Sequence, residues 1–134
     1  MKEFAARVFA AWSHKINQKW INNPVAAQRK TFNYLIKKAK NTQFGKDHAF
    51  HQIKNYTDFT QQVPISDYEG LRAYIEKIRA GKSDVLWPGL PLYFAKTSGT
   101  TSGIKYIPIS KESMPTHIRA ARDAILNYIY HSKK

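Results

Sequence analysis

Apolar residues recur every fourth position from the first residues onward: Phe4, Val8, Trp12, Ile16 and Trp20. In an α-helix that spacing gathers side chains into one stripe, so the pattern predicts an amphipathic helix over 1–20. Docking on a core is its expected role; a membrane-surface helix is the alternative, because Trp and Lys flank the stripe. Asn23-Pro24 predicts the next start, with Asn as cap and Pro at the first helical position, where its missing N–H is not needed. The helix that follows is expected to bury Phe32, Leu35, Ile36 and Ala39. Ser66-Asp67-Tyr68-Glu69 reads as a capping box in which Glu69 reaches back to the cap. Its helix places Tyr68, Leu71, Tyr74, Ile75 and Ile78 on one face, and Gly81 suits its end.

Beyond a turn-rich stretch from Asp84 to Pro91, centred on Trp87-Pro88-Gly89, the period changes. Leu92-Tyr93-Phe94-Ala95 and Tyr106-Ile107-Pro108-Ile109 read as two short strands, so 92–109 is predicted to be a hairpin with a long tip. A last helix is predicted over 113–131, carrying Met114, Ile118, Ala121, Ile125 and Ile129. Ser113 is a better cap for it than Ser110, since Pro115 cannot lie deep inside a helix. No internal repeat or low-complexity segment interrupts this order. The fold class is therefore α+β, mostly helical, with one β-hairpin.

Composition narrows the picture. The chain has 134 residues, of which 43% are hydrophobic, enough for one small globular domain. It has no cysteine, which excludes a disulfide framework and a thiolate metal site. No apolar run approaches the roughly 18 residues of a membrane span. Arg7 interrupts the apolar start, which makes it a poor signal peptide. A cytoplasmic location is expected. The balance of 22 basic against 9 acidic residues gives a formal net charge of +13, which attracts polyanions. That charge is dispersed through Lys37, Lys38 and Lys40, Lys77, Arg79 and Lys82, Arg119 and Arg122, and the end of the chain. There is no block of like charge, zinc-finger spacing or RNA-recognition signature. Neither nucleic acid nor membrane is an expected partner.

Candidate chemistry concentrates at the tip of the hairpin. Ser98-Gly99-Thr100-Thr101-Ser102-Gly103-Ile104-Lys105 combines glycines, small hydroxyls and a lysine between the two strands. Glycine lets the backbone turn and approach a ligand closely. Backbone N–H groups and hydroxyls can donate to phosphate oxygens, and lysine adds a full charge. The segment is not a Walker A loop: three residues separate Gly99 from Gly103, Ile104 precedes Lys105, and a strand follows. Ordinary turn composition would produce a similar stretch. Other candidates are thinner. His48 and His51 have i, i+3 spacing without a third ligand, and zinc needs three. Tyr93 and Phe94 could stack on a base or serve as strand core. Asp67 and Glu69 are explained by helix capping, and Arg119 and Arg122 by a solvated face.

Ser98-Gly99-Thr100-Thr101-Ser102-Gly103, with Lys105 and Pro108, resembles the ATP-binding loop of adenylate-forming enzymes. It is most similar to that of the auxin-responsive Gretchen-Hagen-three family, the acyl acid–amido synthetases, in its bacterial form. Thr42-Gln43-Phe44-Gly45-Lys46, Phe59, Val63-Pro64-Ile65-Ser66-Asp67-Tyr68-Glu69, Gly81 and Pro88 extend the resemblance from about Val25 onward. The resemblance implies the mostly helical amino-terminal part of an adenylate-forming large domain. It also implies a reaction in which a carboxylic acid attacks the α-phosphate of ATP and an amino acid amine then takes the acyl group. Ser98, Thr100, Thr101 and Ser102 would hold the β- and γ-phosphates, Gly99 and Gly103 would allow close approach, and Lys105 would offset the charge of the departing pyrophosphate. None of them is a general base or nucleophile, so no catalytic residue is assigned. Family enzymes are several times longer, and their Mg²⁺ ligands, ribose contact and acyl pocket fall in later segments. The 134 residues are accordingly expected to be an amino-terminal piece that is inactive alone. Two other functions fit the residues: a stand-alone nucleotide- or phosphate-binding module, or a basic polyanion-binding protein whose loop is only a turn.

Overall fold

A computed structural model of the chain describes residues 2–98 and 103–132. Its elements are α1 (Lys2–Ile21), α2 (Pro24–Ala39), α3 (Gln43–Asp47), α4 (Tyr56–Gln62), α5 (Tyr68–Arg79), β1 (Tyr93–Thr97), β2 (Lys105–Ile109) and α6 (Met114–Ser132). The protein is thus a mostly helical α+β domain with one two-stranded sheet among the described residues. The chain divides into two compact units, 1–30 with 112–134, and 31–111.

In the first unit α1 and α6 pack together. The docking face of α1 is not the stripe that the sequence suggests. Phe4 remains 74% exposed, Trp12 54% and Trp20 55%, and Val8 and Ile16 are exposed as well. Ala10 and Ser13 are buried instead, at 1% and 4%. These residues lie on another side of the helical wheel, and their small side chains let the two helices approach closely. The seam is closed by Leu126, which is buried. It is also closed by Ser13, whose Oγ donates to Asp123 Oδ1 at 3.2 Å, and by the stacked rings of His14 and Tyr130, 3.9 Å apart. The expected apolar face of α6 is likewise turned outward at Ile118 and Ile125. The start of α6 does follow from sequence: the Ser113 carbonyl accepts from Thr116 and His117, and Pro115 sits in the first turn.

The second unit is built around Ile36, Ala39, Phe50 and Ile53, with Phe32, Phe44, Phe59, Val63 and Trp87 packed against them. Ile36 and Ala39 of α2 are buried as their spacing requires, whereas Leu35 is exposed. Pro24 opens α2 and the Asn23 carbonyl accepts from Ala27 at 3.0 Å, the arrangement expected of a cap followed by proline.

Two short helices are absent from the periodicity reading, because five and seven residues are too few to show a period. Their caps define them. Thr42 Oγ1 accepts from Gly45 N at 3.0 Å and starts α3. Asn55 Oδ1 accepts from Asp58 N at 3.0 Å and starts α4, while Asp58 Oδ2 accepts from Lys54 N at 2.8 Å. The turn-rich stretch is tied to α3 through Gln43 N, which donates to Asp84 O at 2.8 Å, and Phe44 N, which donates to Val85 O at 2.9 Å. Val85 is buried at this junction.

α5 carries its five predicted apolar residues on the inward side, with Ile75 and Ile78 buried and Tyr68, Leu71 and Tyr74 half-buried. Its cap differs from the predicted box. Asp67 Oδ1 accepts from Gly70 N at 3.0 Å, and Glu69 pairs forward with Arg72 at 2.8 Å instead of reaching back. A carboxylate caps at least as well as a hydroxyl, so Asp67 takes the position that Ser66 was expected to fill. The other end is a Schellman motif: Gly81, at φ +89°, donates to Ile78 O, and Lys82 donates to Lys77 O.

Candidate functional site

The hairpin follows α5 in the chain after the turn-rich stretch 84–91. β1 and β2 pair antiparallel, with Tyr93 opposite Ile109, Phe94 opposite Pro108, Ala95 opposite Ile107, Lys96 opposite Tyr106 and Thr97 opposite Lys105. Pro108 lacks an N–H, which confines it to an edge position, and a two-stranded ribbon has only edges. Leu92 N adds a bond to Ile109 O at 2.7 Å.

The register brings Thr97 and Lys105 opposite one another at the mouth of the connection, so Ser98 and Ile104 flank that mouth and Gly103 lies one residue further in. Of the sequence-predicted site residues, the structure describes Ser98, Gly103 and Lys105; Gly99, Thr100, Thr101 and Ser102 lie outside the described residues. Gly103 has φ +78°, the left-handed region that a residue with a β-carbon rarely adopts. Lys105 opens β2, and its Nζ lies 5.4 Å from the centroid of the Tyr68 ring. This is within the range of a cation–π contact. The Tyr68 hydroxyl oxygen also accepts the amide N–H of Tyr106 at 3.0 Å. On its other side, the Tyr106 ring meets the Arg79 guanidinium, whose Cζ is 4.1 Å from the centroid, and stands edge-on to Phe94. Arg79 is bonded to both carboxylate oxygens of Glu76 at 2.8 and 2.9 Å, and this pairing is the main reason its pKa is raised.

Sequence reasoning singled out the loop and its lysine but did not place beside them Tyr68, read only as a helix-face residue, or Arg79, read only as dispersed charge. The sequence holds a signal for neither, because both reach the hairpin across a separation set by the fold.

The remaining candidates are accounted for locally. His48 stacks on Phe44, with centroids 4.0 Å apart, and His51 contacts Gln52. No group of three His, Cys, Asp or Glu that could hold a metal ion occurs among the described residues. Arg122 pairs with Asp123 at 2.9 Å. Phe94 packs on Tyr106, as a strand-core residue would. A hollow of about 990 Å³ lies in the first unit, lined by residues such as Trp12, Asn17, Trp20, Arg119 and Asn127, and contains none of the predicted loop residues. No helix among the described residues is long and apolar enough to cross a membrane.

The architecture is that of a helical α+β domain whose hairpin is contacted by Tyr68 and Arg79 of α5. The profile of the GH3 family N-terminal domain matches residues 14–134. The chain thus belongs to the GH3 family, the auxin-responsive acyl acid–amido synthetases. No curated protein and no solved structure matches it.

Proposed function

We propose that the chain is the ATP-phosphate-binding part of an acyl acid–amido synthetase, engaging the nucleotide through the 98–105 connection of the hairpin. The single observation that carries this reading is the placement of Lys105 at the mouth of a connection whose far end, Gly103, holds a positive φ. Backbone N–H groups of a glycine-containing turn can donate to an anion, and an ammonium beside them would supply the compensating charge. Ser98, Gly99, Thr100, Thr101, Ser102 and Gly103 would surround the β- and γ-phosphates, and Lys105 would stabilise the pyrophosphate as it leaves. Family membership supports the wider reading, in which a carboxylic acid is adenylated and its acyl group passes to an amino acid amine. Mg²⁺ is a hard cation that prefers oxygen ligands. With no acidic cluster among the described residues, it would enter on the phosphate oxygens of ATP.

Calorimetric titration with Mg-ATP tests the reading. Binding by the wild-type chain, weakened about 10- to 100-fold in Lys105→Ala, is expected for the loss of one charge-assisted phosphate contact. Equal affinity of both proteins for ATP would overturn it.

A further inference from the structure

Tyr68 touches the hairpin in two ways. Its hydroxyl accepts the Tyr106 amide at 3.0 Å, and its ring lies 5.4 Å from Lys105 Nζ. Lys105 and Tyr106 are consecutive on β2, so their side chains project to opposite faces of the ribbon. The Tyr106 amide points away from β1, because it is bonded to Tyr68 and not to the Lys96 opposite it. One side chain therefore satisfies an edge N–H of β2 and places a ring face beside the ammonium one residue earlier. Tyr68 is also the first residue of α5, directly after the Asp67 cap. Its backbone is fixed by the helix start, and its ring is half-buried.

A two-stranded ribbon is marginal by itself. The contact with α5 gives β2 an outside anchor at the residue next to the lysine. On the opposite face Arg79, from the last turn of the same helix, covers the Tyr106 ring. α5 thus grips the start of β2 from both of its ends.

We infer that Tyr68 is a positioning residue for the hairpin site: it anchors β2 at Tyr106 and holds the Lys105 ammonium at the mouth of the connection, ready for a polyphosphate. This inference rests on the phosphate reading above for its ligand, though not for its geometry. The cation–π contact is weak, so Lys105 can exchange it for a phosphate oxygen without a large barrier. Tyr68 itself touches no reacting group.

The test combines a ligand-free readout with a ligand-dependent one in the 134-residue chain. In the first, amide exchange at Tyr106 and the ring-current shift of the Lys105 ε-methylene protons are followed by NMR without nucleotide. Tyr68→Phe should speed Tyr106 exchange yet keep the upfield shift, and Tyr68→Leu should abolish both features. In the second, ATP affinity is measured for wild type, Tyr68→Leu, Lys105→Ala and the double variant. Tyr68→Leu should weaken binding about fivefold, the equivalent of roughly one ordinary hydrogen bond. It should have little further effect once Lys105 is gone, because coupled residues are non-additive. Unchanged Tyr106 exchange in Tyr68→Phe would overturn the anchor. Wild-type ATP binding with equal Tyr68→Leu effects in both backgrounds would overturn the link to Lys105 and leave the phosphate reading intact. A wild-type chain that does not bind ATP would overturn the phosphate reading and this inference together.

Discussion

The buried hydroxyl of Thr42 accepts the amide N–H of Gly45 at 3.0 Å, and the same oxygen donates to Ala39 O at 2.7 Å. One hydroxyl thereby closes the end of α2 and opens α3. Gly45 is required beside it because a β-carbon there would run into the Ala39 carbonyl oxygen. The Thr42-Gln43-Phe44-Gly45 segment, which carries part of the family resemblance, is a tight helix-to-helix corner.

Thr42→Val should lower stability by about 1–2 kcal/mol, since it removes a cap and leaves a buried N–H unpaired. Gly45→Ala should cost more, because the obstacle is backbone and cannot swing aside. Urea unfolding monitored at Trp87 would measure both.

Gly81→Ala isolates a purely conformational cost. Nothing lies within 4 Å of an added β-carbon, yet φ is +89°. A loss of about 1 kcal/mol is expected from left-handed strain. The comparison substitution Ala80→Gly lies at φ −75°, where no left-handed strain acts, so any loss there reflects only the added freedom of the unfolded chain.

The docking face of α1 can be read by substitution. Trp12→Ser and Trp20→Ser should each change stability by less than about 0.5 kcal/mol, because both rings are exposed. Leu126→Ala should cost about 2–3 kcal/mol by opening a cavity, and Ala10→Leu should disrupt the same seam by overpacking. Amide exchange in α1 and α6 reports the result. Strong protection loss in the tryptophan variants would show that the stripe packs after all.

Acid sensitivity should arise at two carboxylates. The Ser83 hydroxyl and the Gly89 amide hold Asp84 below its ordinary value of 3.8, and Arg122 chiefly does the same for Asp123. A carboxylate whose folded pKa is depressed releases its proton more readily in the folded state. Its stabilising contribution is complete above the ordinary value and is lost as pH falls through the lower folded value. Urea midpoints should therefore drop below about pH 4, and Asp84→Asn should flatten part of that drop.

The sequence was legible where a local rule acted without competition. Asn23-Pro24, Gly81 and the change of period at Leu92 each depend on neighbours within a few residues. It misled where tertiary packing chose among local options. The α1 stripe satisfies helical periodicity, but Ala10 and Ser13 allow closer approach to α6 than Trp12 or Trp20 could. Glu69 could have closed a capping box, but Arg72 lay one turn onward with the opposite charge. At the hairpin, residue types marked the connection, whereas the partners that position it, Tyr68 and Arg79, are 37 and 26 residues before Lys105 in the sequence and become visible only in the fold.

The central claim is that the hairpin connection receives a polyphosphate. An amide-resolved NMR titration with ATP, inorganic tripolyphosphate and adenosine tests it most directly. The account predicts saturable shifts at 98–105 with ATP and with tripolyphosphate, and none there with adenosine. Shifts scattered over the basic residues and erased by moderate salt, with the hairpin unmoved, would contradict it and mark the chain as a general polyanion binder.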